Sequence, residues 1–180
     1  EKLLAGLAIL VREGSAAKNL TALVNGLLDS KLPADRFLFC TDDKHLDDIS
    51  REGHVRWNVR QAIRLGMDPV IKMATLNAAR VYGLQELGAV APGYRADLVL
   101  LSSLKKVKVE QVYKDGVPVQ QALACCKDVA VPEKLLDTVH FKDVRPEDLR
   151  LSVGKTAHCI EMIPYQIATK HVVEPVPSEN

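Results

Sequence analysis

Two short apolar runs, each broken off by charge, constrain this chain more than any other feature. Leu7-Ala8-Ile9-Leu10-Val11 ends in Arg12-Glu13-Gly14-Ser15, and Arg36-Phe37-Leu38-Phe39-Cys40 ends in Thr41-Asp42-Asp43-Lys44-His45. Continuous runs of this kind read as strands buried on both faces, as in parallel sheets. Between them Ala16, Leu20, Leu23, Val24, Leu27 and Leu28 recur at helical spacing, with Ser15 as the expected cap. Strand, helix, strand predicts a βαβ unit with parallel strands, and such folds bind ligands beyond the carboxyl ends of their strands. Glu13 and Asp42 are therefore expected on one rim.

Further on, the pattern predicts a helix from Ser50 to Leu65, stopped by Gly66. A third helix follows, with Asp68 as N-cap and Pro69 at the first helical position, carrying Ile71, Met73, Ala74, Ala78 and Val81 up to Gly83. A boundary near residue 88 then separates this part from a β-like stretch. Ala96 to Leu101 and Val107 to Tyr113 read as strands, Asp115-Gly116 is a hairpin turn signal, and Pro118 requires an edge position for the strand after it. Lys127 to Arg150 is weakly patterned. Short strands are expected at Leu149 to Val153 and Thr156 to Ile163, with the tail from Val173 to Asn180 frayed.

Composition excludes several classes of function. Lys plus Arg number 24 against 23 Asp plus Glu, a net charge of +1, so the basic footprint of a nucleic-acid binder is absent. Cys40, Cys125, Cys126 and Cys159 form neither a C-x-x-C pair nor a disulfide framework, which fits a reducing cytoplasm. No apolar run approaches the roughly 18–20 residues that a membrane span needs, so no membrane partner is expected. The 180 residues allow one or two domains. The opening Glu1-Lys2-Leu3-Leu4 has neither an initiator Met nor a signal-like basic region, and suggests a piece of something longer.

Chemistry concentrates after the second run. Thr41 to Asp48 holds the carboxylates of Asp42, Asp43, Asp47 and Asp48, the Lys44 ammonium and the His45 imidazole. A carboxylate at a strand end can bind a divalent metal and accept a proton from water acidified by it. Acidic loops are also commonly solvated turns, and Asp47 or Asp48 would serve as caps for the next helix. Glu13, beside Arg12, reads as either an ion pair or a ligand. His45 is the best placed histidine, whereas His54, His140, His158 and His171 lie in ordinary contexts. Cys40 reads as an inert buried thiol, Trp57 as a packing residue, and Gly88 with Gly93 lacks the Lys-Ser/Thr of a phosphate loop.

Four blocks carry a resemblance. They are Arg12-Glu13-Gly14-Ser15-Ala16-Ala17-Lys18-Asn19-Leu20, Phe39-Cys40-Thr41-Asp42-Asp43-Lys44-His45, Met73-Ala74-Thr75-Leu76-Asn77-Ala78-Ala79 and Gly88-Ala89-Val90-Ala91-Pro92-Gly93-Tyr94-Arg95-Ala96-Asp97-Leu98-Val99. Together they resemble the bacterial-type adenine deaminases of the amidohydrolase superfamily. The last two blocks are general to the superfamily, and the first two are more specific. The likeness weakens over residues 120 to 148. It returns from Lys155-Thr156-Ala157-His158 to Gln166-Ile167, where Tyr165 stands in place of the glycine of a Pro-Gly-Gln turn.

The resemblance implies an α/β fold: the last two βα units of a (β/α)8 barrel over residues 1–87, a small composite β-sandwich segment over 88–122, and a linker with the beginning of a C-terminal α+β domain over 123–180. It implies hydrolytic deamination of adenine to hypoxanthine and ammonia, in purine salvage, by a cytoplasmic homo-oligomeric enzyme. Asp42 matches the strand-eight aspartate, implied as metal ligand and proton shuttle. Asp43, His45, Glu13 and Ser15 are implied as substrate-binding residues. The metal would be manganese, iron or zinc, held also by histidines that lie upstream in the family. A whole barrel needs about 250 residues, so the expectation is a fragment inactive alone. Two rivals remain: a cyclic amidohydrolase of the dihydroorotase or hydantoinase kind, and a non-catalytic α/β interaction module.

Overall fold

The computed structural model describes residues 1–68, 70–124 and 129–176 and is mixed α/β. The chain divides into two compact units, Glu1–Ala124 with Pro164–Ile167, and Cys125–Ile163 with Ala168–Asn180.

The first unit opens with β1 (Ile9–Arg12), α1 (Leu20–Ser30) and β2 (Phe37–Cys40). The two strands pair in parallel, Ile9 opposite Phe37 and Arg12 opposite Cys40, as the apolar runs predict. β2 is buried on both faces through Phe37, Leu38 and Phe39. β1 is not: Val11 is buried, but Leu10 points to the opposite face and is 41% exposed. α1 starts at Leu20 after Asn19, so Ser15 is not its cap. Asn19 does not cap either, because its Oδ1 accepts the Arg12 N–H at 2.7 Å.

The helix expected over Ser50 to Leu65 is two helices, α2 (Leu46–Glu52) and α3 (Val55–Arg64). Gly53, at φ 98°, breaks them apart in a conformation that glycine adopts at little cost. The following pattern is likewise divided, into α4 (Val70–Ala74) and α5 (Leu76–Val81), at Thr75, whose hydroxyl donates back to Ile71 O at 2.7 Å. Pro69, the expected first helical residue, lies outside the described residues. One core joins Val11, Leu20, Val24, Phe39, Val59 and Met73. Each fully buried aliphatic side chain there contributes about 1.5–3 kcal/mol relative to exposure.

β3 (Leu98–Ser103), β4 (Lys108–Lys114) and β5 (Val117–Pro118) form an antiparallel sheet in that order, followed by α6 (Val119–Ala124). Asp115 and Gly116 both have positive φ, 50° and 80°, as the two-residue hairpin requires, and Pro118 sits on the edge strand as expected. Gly88 is demanded twice over: its φ is +92°, and a Cβ there would lie 2.8 Å from the Leu76 Cα.

In the second unit, residues 129–150 carry only 3-10 turns at Glu133–Leu135 and Pro146–Leu149. The strand expected from Leu149 to Val153 does not form, since Leu149 closes the second turn and residues 150–153 pair with nothing in a sheet. β6 (Thr156–Met162) and β7 (Thr169–Pro175) make a regular antiparallel pair from Thr156 opposite Pro175 to Met162 opposite Thr169. The tail expected to fray at Val173 is therefore strand through Pro175, held by the ladder; residues 177–180 lie outside the described residues. No helix among the described residues is long and apolar enough to cross a membrane.

Candidate functional site

Because β1 and β2 run in register, Arg12 lies beside Cys40 and the chain leaves both strands at the same end. Glu13 N–H donates to Cys40 O at 3.2 Å and so extends the ladder by one residue. The first loop then folds back on itself: Glu13 bridges Lys18, Gly14 N–H donates to Ala17 O, and Asn19 N–H donates to Arg12 O. All five residues singled out in the sequence, Glu13, Ser15, Asp42, Asp43 and His45, belong to these two adjacent loops.

Asp42 is the second residue past β2 and has φ 51°, the left-handed region that aspartate enters more readily than most residues. Strained backbone of this sort clusters at functional sites. Its Oδ2 accepts from Arg12 Nη1 at 2.8 Å, and its side chain is 55% exposed. Arg12 also brings a buried Nε with no hydrogen-bond partner among the described residues.

Asp43 turns the other way, into the first loop. Its Oδ2 accepts the N–H groups of Ala16 at 2.8 Å and Ala17 at 3.3 Å. Burial opposes its charge, but those two amides, its own N–H and Arg12 outweigh it and hold the carboxyl below its usual range. Its Oδ1 fills the space over Gly14, where a Cβ would stand 1.7 Å from it and 2.9 Å from Thr41 O. Gly14→Ala is expected to cost about 1–3 kcal/mol through this overpacking. A lower urea midpoint, with faster exchange of the Ala16 and Ala17 amide protons, would register it.

Ser15 joins the loops a second time. Its hydroxyl donates to Asp48 Oδ2 and accepts the His45 N–H at 2.9 Å, and the first of these bonds, followed by Arg51, lowers the Asp48 pKa. Asp47 and Asp48 do not cap α2; His45 holds the N-cap position and both acids sit in the first turn, where they face the positive end of the helix dipole. Donor atoms of His45, Asp47 and Asp48 lie within 4.8 Å of one another, a set that does not include Asp42.

Sequence reasoning missed Lys44, Asn58 and Asn77. Lys44 reads as one charge in a charged loop, yet its side chain is 1% exposed, pairs with Glu52 at 2.8 Å and lies 5.6 Å from the centre of the Trp57 ring. Trp57 is thus a platform for an ammonium as well as a packing residue. Asn58 and Asn77 are fully buried; Asn58 Nδ2 donates to Cys40 O at 2.8 Å, and Asn77 Nδ2 to Phe37 O at 2.8 Å and Ala34 O at 2.9 Å. A polar amide on an otherwise apolar helical face was the available signal for both. Cys40 is half-buried rather than buried, and its thiol pKa is pushed up by burial and then by Asp42.

Lys44 lowers the pKa of both Glu13 and Glu52, yet their net shifts run in opposite directions. Burial raises the Glu13 pKa above 4.5, with Lys18 and Lys44 offsetting only part of it. The hydrogen bond from Lys44 lowers that of Glu52. Glu13 therefore subtracts stability increasingly as pH rises through 4.5 towards its raised folded pKa, whereas the contribution of Glu52 is present above 4.5 and lost as pH falls through its lowered one. Glu13→Gln is expected to raise the urea midpoint at neutral pH and Glu52→Gln to lower it, both differences shrinking towards about pH 3.

Two clefts of the first unit lie elsewhere: one is lined by Leu76, Arg80, Leu84 and Tyr94, another by Leu4, Leu32 and Arg36. Neither includes a residue of the two strand-end loops.

Comparison with known proteins covers the same residues. A model of the amidohydrolase family matches residues 4–119. The chain is 46% identical to an adenine deaminase of Desulfitobacterium hafniense (strain Y51), over 100% of this chain and 32% of that protein. It is 42% identical to those of Petrotoga mobilis, over 94% of this chain and 30% of the relative, and Geobacillus kaustophilus, over 98% and 32%. The chain thus spans about a third of the length of the curated relatives it matches.

Proposed function

The chain belongs to the amidohydrolase family, and from that premise we propose that it is the strand-seven to strand-eight portion, with following segments, of an enzyme that hydrolyses adenine to hypoxanthine and ammonia. The observation that carries this reading is Asp42: an aspartate in left-handed backbone at the end of a buried parallel strand, within a sequence similar to adenine deaminases over its whole length.

Asp42 suits a metal ligand in donor chemistry and in placement, with one carboxylate oxygen on Arg12 and more than half of its side chain exposed. It supplies one of the about three protein ligands that such a centre needs, the others coming from outside this segment. A divalent cation, when bound, supplies Lewis acidity and a water acidic enough to attack near neutral pH. Asp42 takes the proton of the attacking water on a carboxylate oxygen and returns it to the departing amino nitrogen, so that ammonia leaves neutral. Arg12 orients that carboxylate.

Ser15 and His45 lie at the junction of the two loops and are the residues best placed to meet the purine. Asp43, saturated by loop amides on one oxygen and seated over Gly14 with the other, holds the rim rather than the base. Manganese, iron and zinc suit such a donor set. The reading carries with it cytoplasmic purine salvage by a homo-oligomer, and domain boundaries near residues 88 and 123.

The test is a chimaera in which this segment replaces the matching third of the Desulfitobacterium hafniense enzyme. Loaded with manganese, it is expected to release ammonia from adenine. A folded, metal-loaded chimaera that acts on dihydroorotate or hydantoin and not on adenine would overturn the substrate; one inert to all three would overturn the activity. The 180-residue chain alone, offering Asp42 without the remaining ligands, is expected to release no ammonia under the same assay.

A further inference from the structure

The segment Pro164–Ile167, which follows β6 and precedes β7 in the chain, belongs to the first unit. Within that unit it meets the loop after β1. Tyr165 O accepts the Lys18 N–H at 2.9 Å, and the Lys18 ammonium lies 5.4 Å from the centre of the Tyr165 ring. Lys18 also bridges Glu13, so the segment is joined to the first rim loop at the residue that closes it.

Tyr165 has φ 62°, in the left-handed region where a bulky side chain is an outlier. Proline followed by positive φ is the type II turn pattern, and its second central position favours glycine. Strained backbone persists only where its surroundings over-determine it, and it gathers at functional sites. Here two parts of Tyr165 act on one residue, its carbonyl on the Lys18 N–H and its ring on the Lys18 ammonium. The carbonyl bond would form with any residue in that turn. The ring contact is what a tyrosine adds to a turn that glycine would make without strain.

We propose that Tyr165 is a positioning residue for the rim, acting through Lys18: its ring holds the ammonium and so fixes the Glu13–Lys18 loop that carries Ser15. What that rim binds rests on the deamination reading; the contact itself does not. The held ammonium also faces the rim. Burial raises the Glu13 pKa and Lys18 is foremost among the charges that pull it back, while at Glu52 it adds to the lowering begun by the Lys44 hydrogen bond. Ser15 in turn reaches the second loop through Asp48 and the His45 N–H. A loop clamped at Lys18 presents Glu13 and Ser15 to substrate in one arrangement. A loose loop must be ordered on binding, a cost that enters KM and leaves the proton transfer at Asp42 alone.

The experiment compares Tyr165→Gly, Tyr165→Phe and Lys18→Met in the chimaera, by hydrogen exchange over residues 14–18 and by kcat and KM for adenine. Tyr165→Gly keeps the carbonyl bond and the positive φ and removes the ring. It is expected to speed exchange in the loop and to raise KM, each by about two- to fivefold, the range that a cation–π contact at an exposed site supplies, with kcat unchanged. Tyr165→Phe, which keeps the ring, should match the parent in both. In the Lys18→Met background Tyr165→Gly should have no further effect, because the ring then has no ammonium to hold. Parent-like exchange and KM in Tyr165→Gly, Tyr165→Phe as impaired as Tyr165→Gly, or a full effect of Tyr165→Gly in the Lys18→Met background would each overturn the assignment. Turnover of adenine by the unsubstituted chimaera tests the deamination reading separately, and exchange reports on the clamp whatever that turnover is.

Discussion

Asp42→Asn, in the chimaeric enzyme, is expected to lower kcat for adenine by about 10²–10⁴-fold, the range for loss of a positioned acid–base group, without unfolding the protein. The substitution leaves the backbone alone. Asparagine enters the left-handed region as readily as aspartate, so the φ of 51° after β2 is kept. The ion pair with Arg12 is lost, but Asp42 is more than half exposed, and a pair of that sort contributes at most about 1 kcal/mol. What disappears is a carboxylate that can hold a metal and carry a proton. The checks are kcat and KM for adenine, metal content and thermal midpoint on the same preparation. Activity within tenfold of the parent, with metal retained, would remove Asp42 from the mechanism.

The largest effect on stability is expected at Lys44. Its stem and ammonium are 1% exposed and its partner Glu52 is 20% exposed, so Lys44→Met removes one member of a pair largely withdrawn from water. Removing one partner of a buried pair typically costs about 3–5 kcal/mol, because the other charge stays behind uncompensated. Here two carboxylates are left: Glu52 loses the bond that lowers its pKa, and Glu13 loses one of the charges that offset its burial. The penalty should be full only above the raised folded pKa values of the two acids in the variant and shrink as pH falls from there towards 4.5, the ordinary glutamate value, as both take up protons. Urea titrations at neutral and acid pH measure it. Lys44→Met combined with Glu52→Leu should regain much of the loss; a single variant as stable as the parent at neutral pH would contradict the burial argument.

The parts of the fold and site that were legible in the sequence are those decided locally. Apolar runs that stop at charges located β1, β2 and the rim beyond them, and two residues able to take positive φ located the Asp115–Gly116 turn. The misreadings have a common physical origin in side chains whose partners are distant in sequence. Ser15 has the composition of a helix cap, but its hydroxyl is taken by Asp48 and the His45 amide across the rim. Lys44 has the composition of a solvated loop, and only the packing of α2 and α3 puts Glu52 and Trp57 around it. β7 escaped notice because its alternation is weak, and its seven-residue pairing with β6 is a property of two segments taken together.

The amides of Asn58 and Asn77 bear on how the sheet is assembled. Asn58 of α3 grips the last carbonyl of β2 and Asn77 of α5 its first, both from helices that follow the strand in the chain. β2 is thereby fixed against sliding along its own axis, independently of its ladder with β1. A slip of one residue would turn every side chain to the wrong face, and here it would also have to strip two buried donors of their acceptors at once. A further strand arriving at the open edge of β2 accordingly meets a template whose phase is already set, and need only match it.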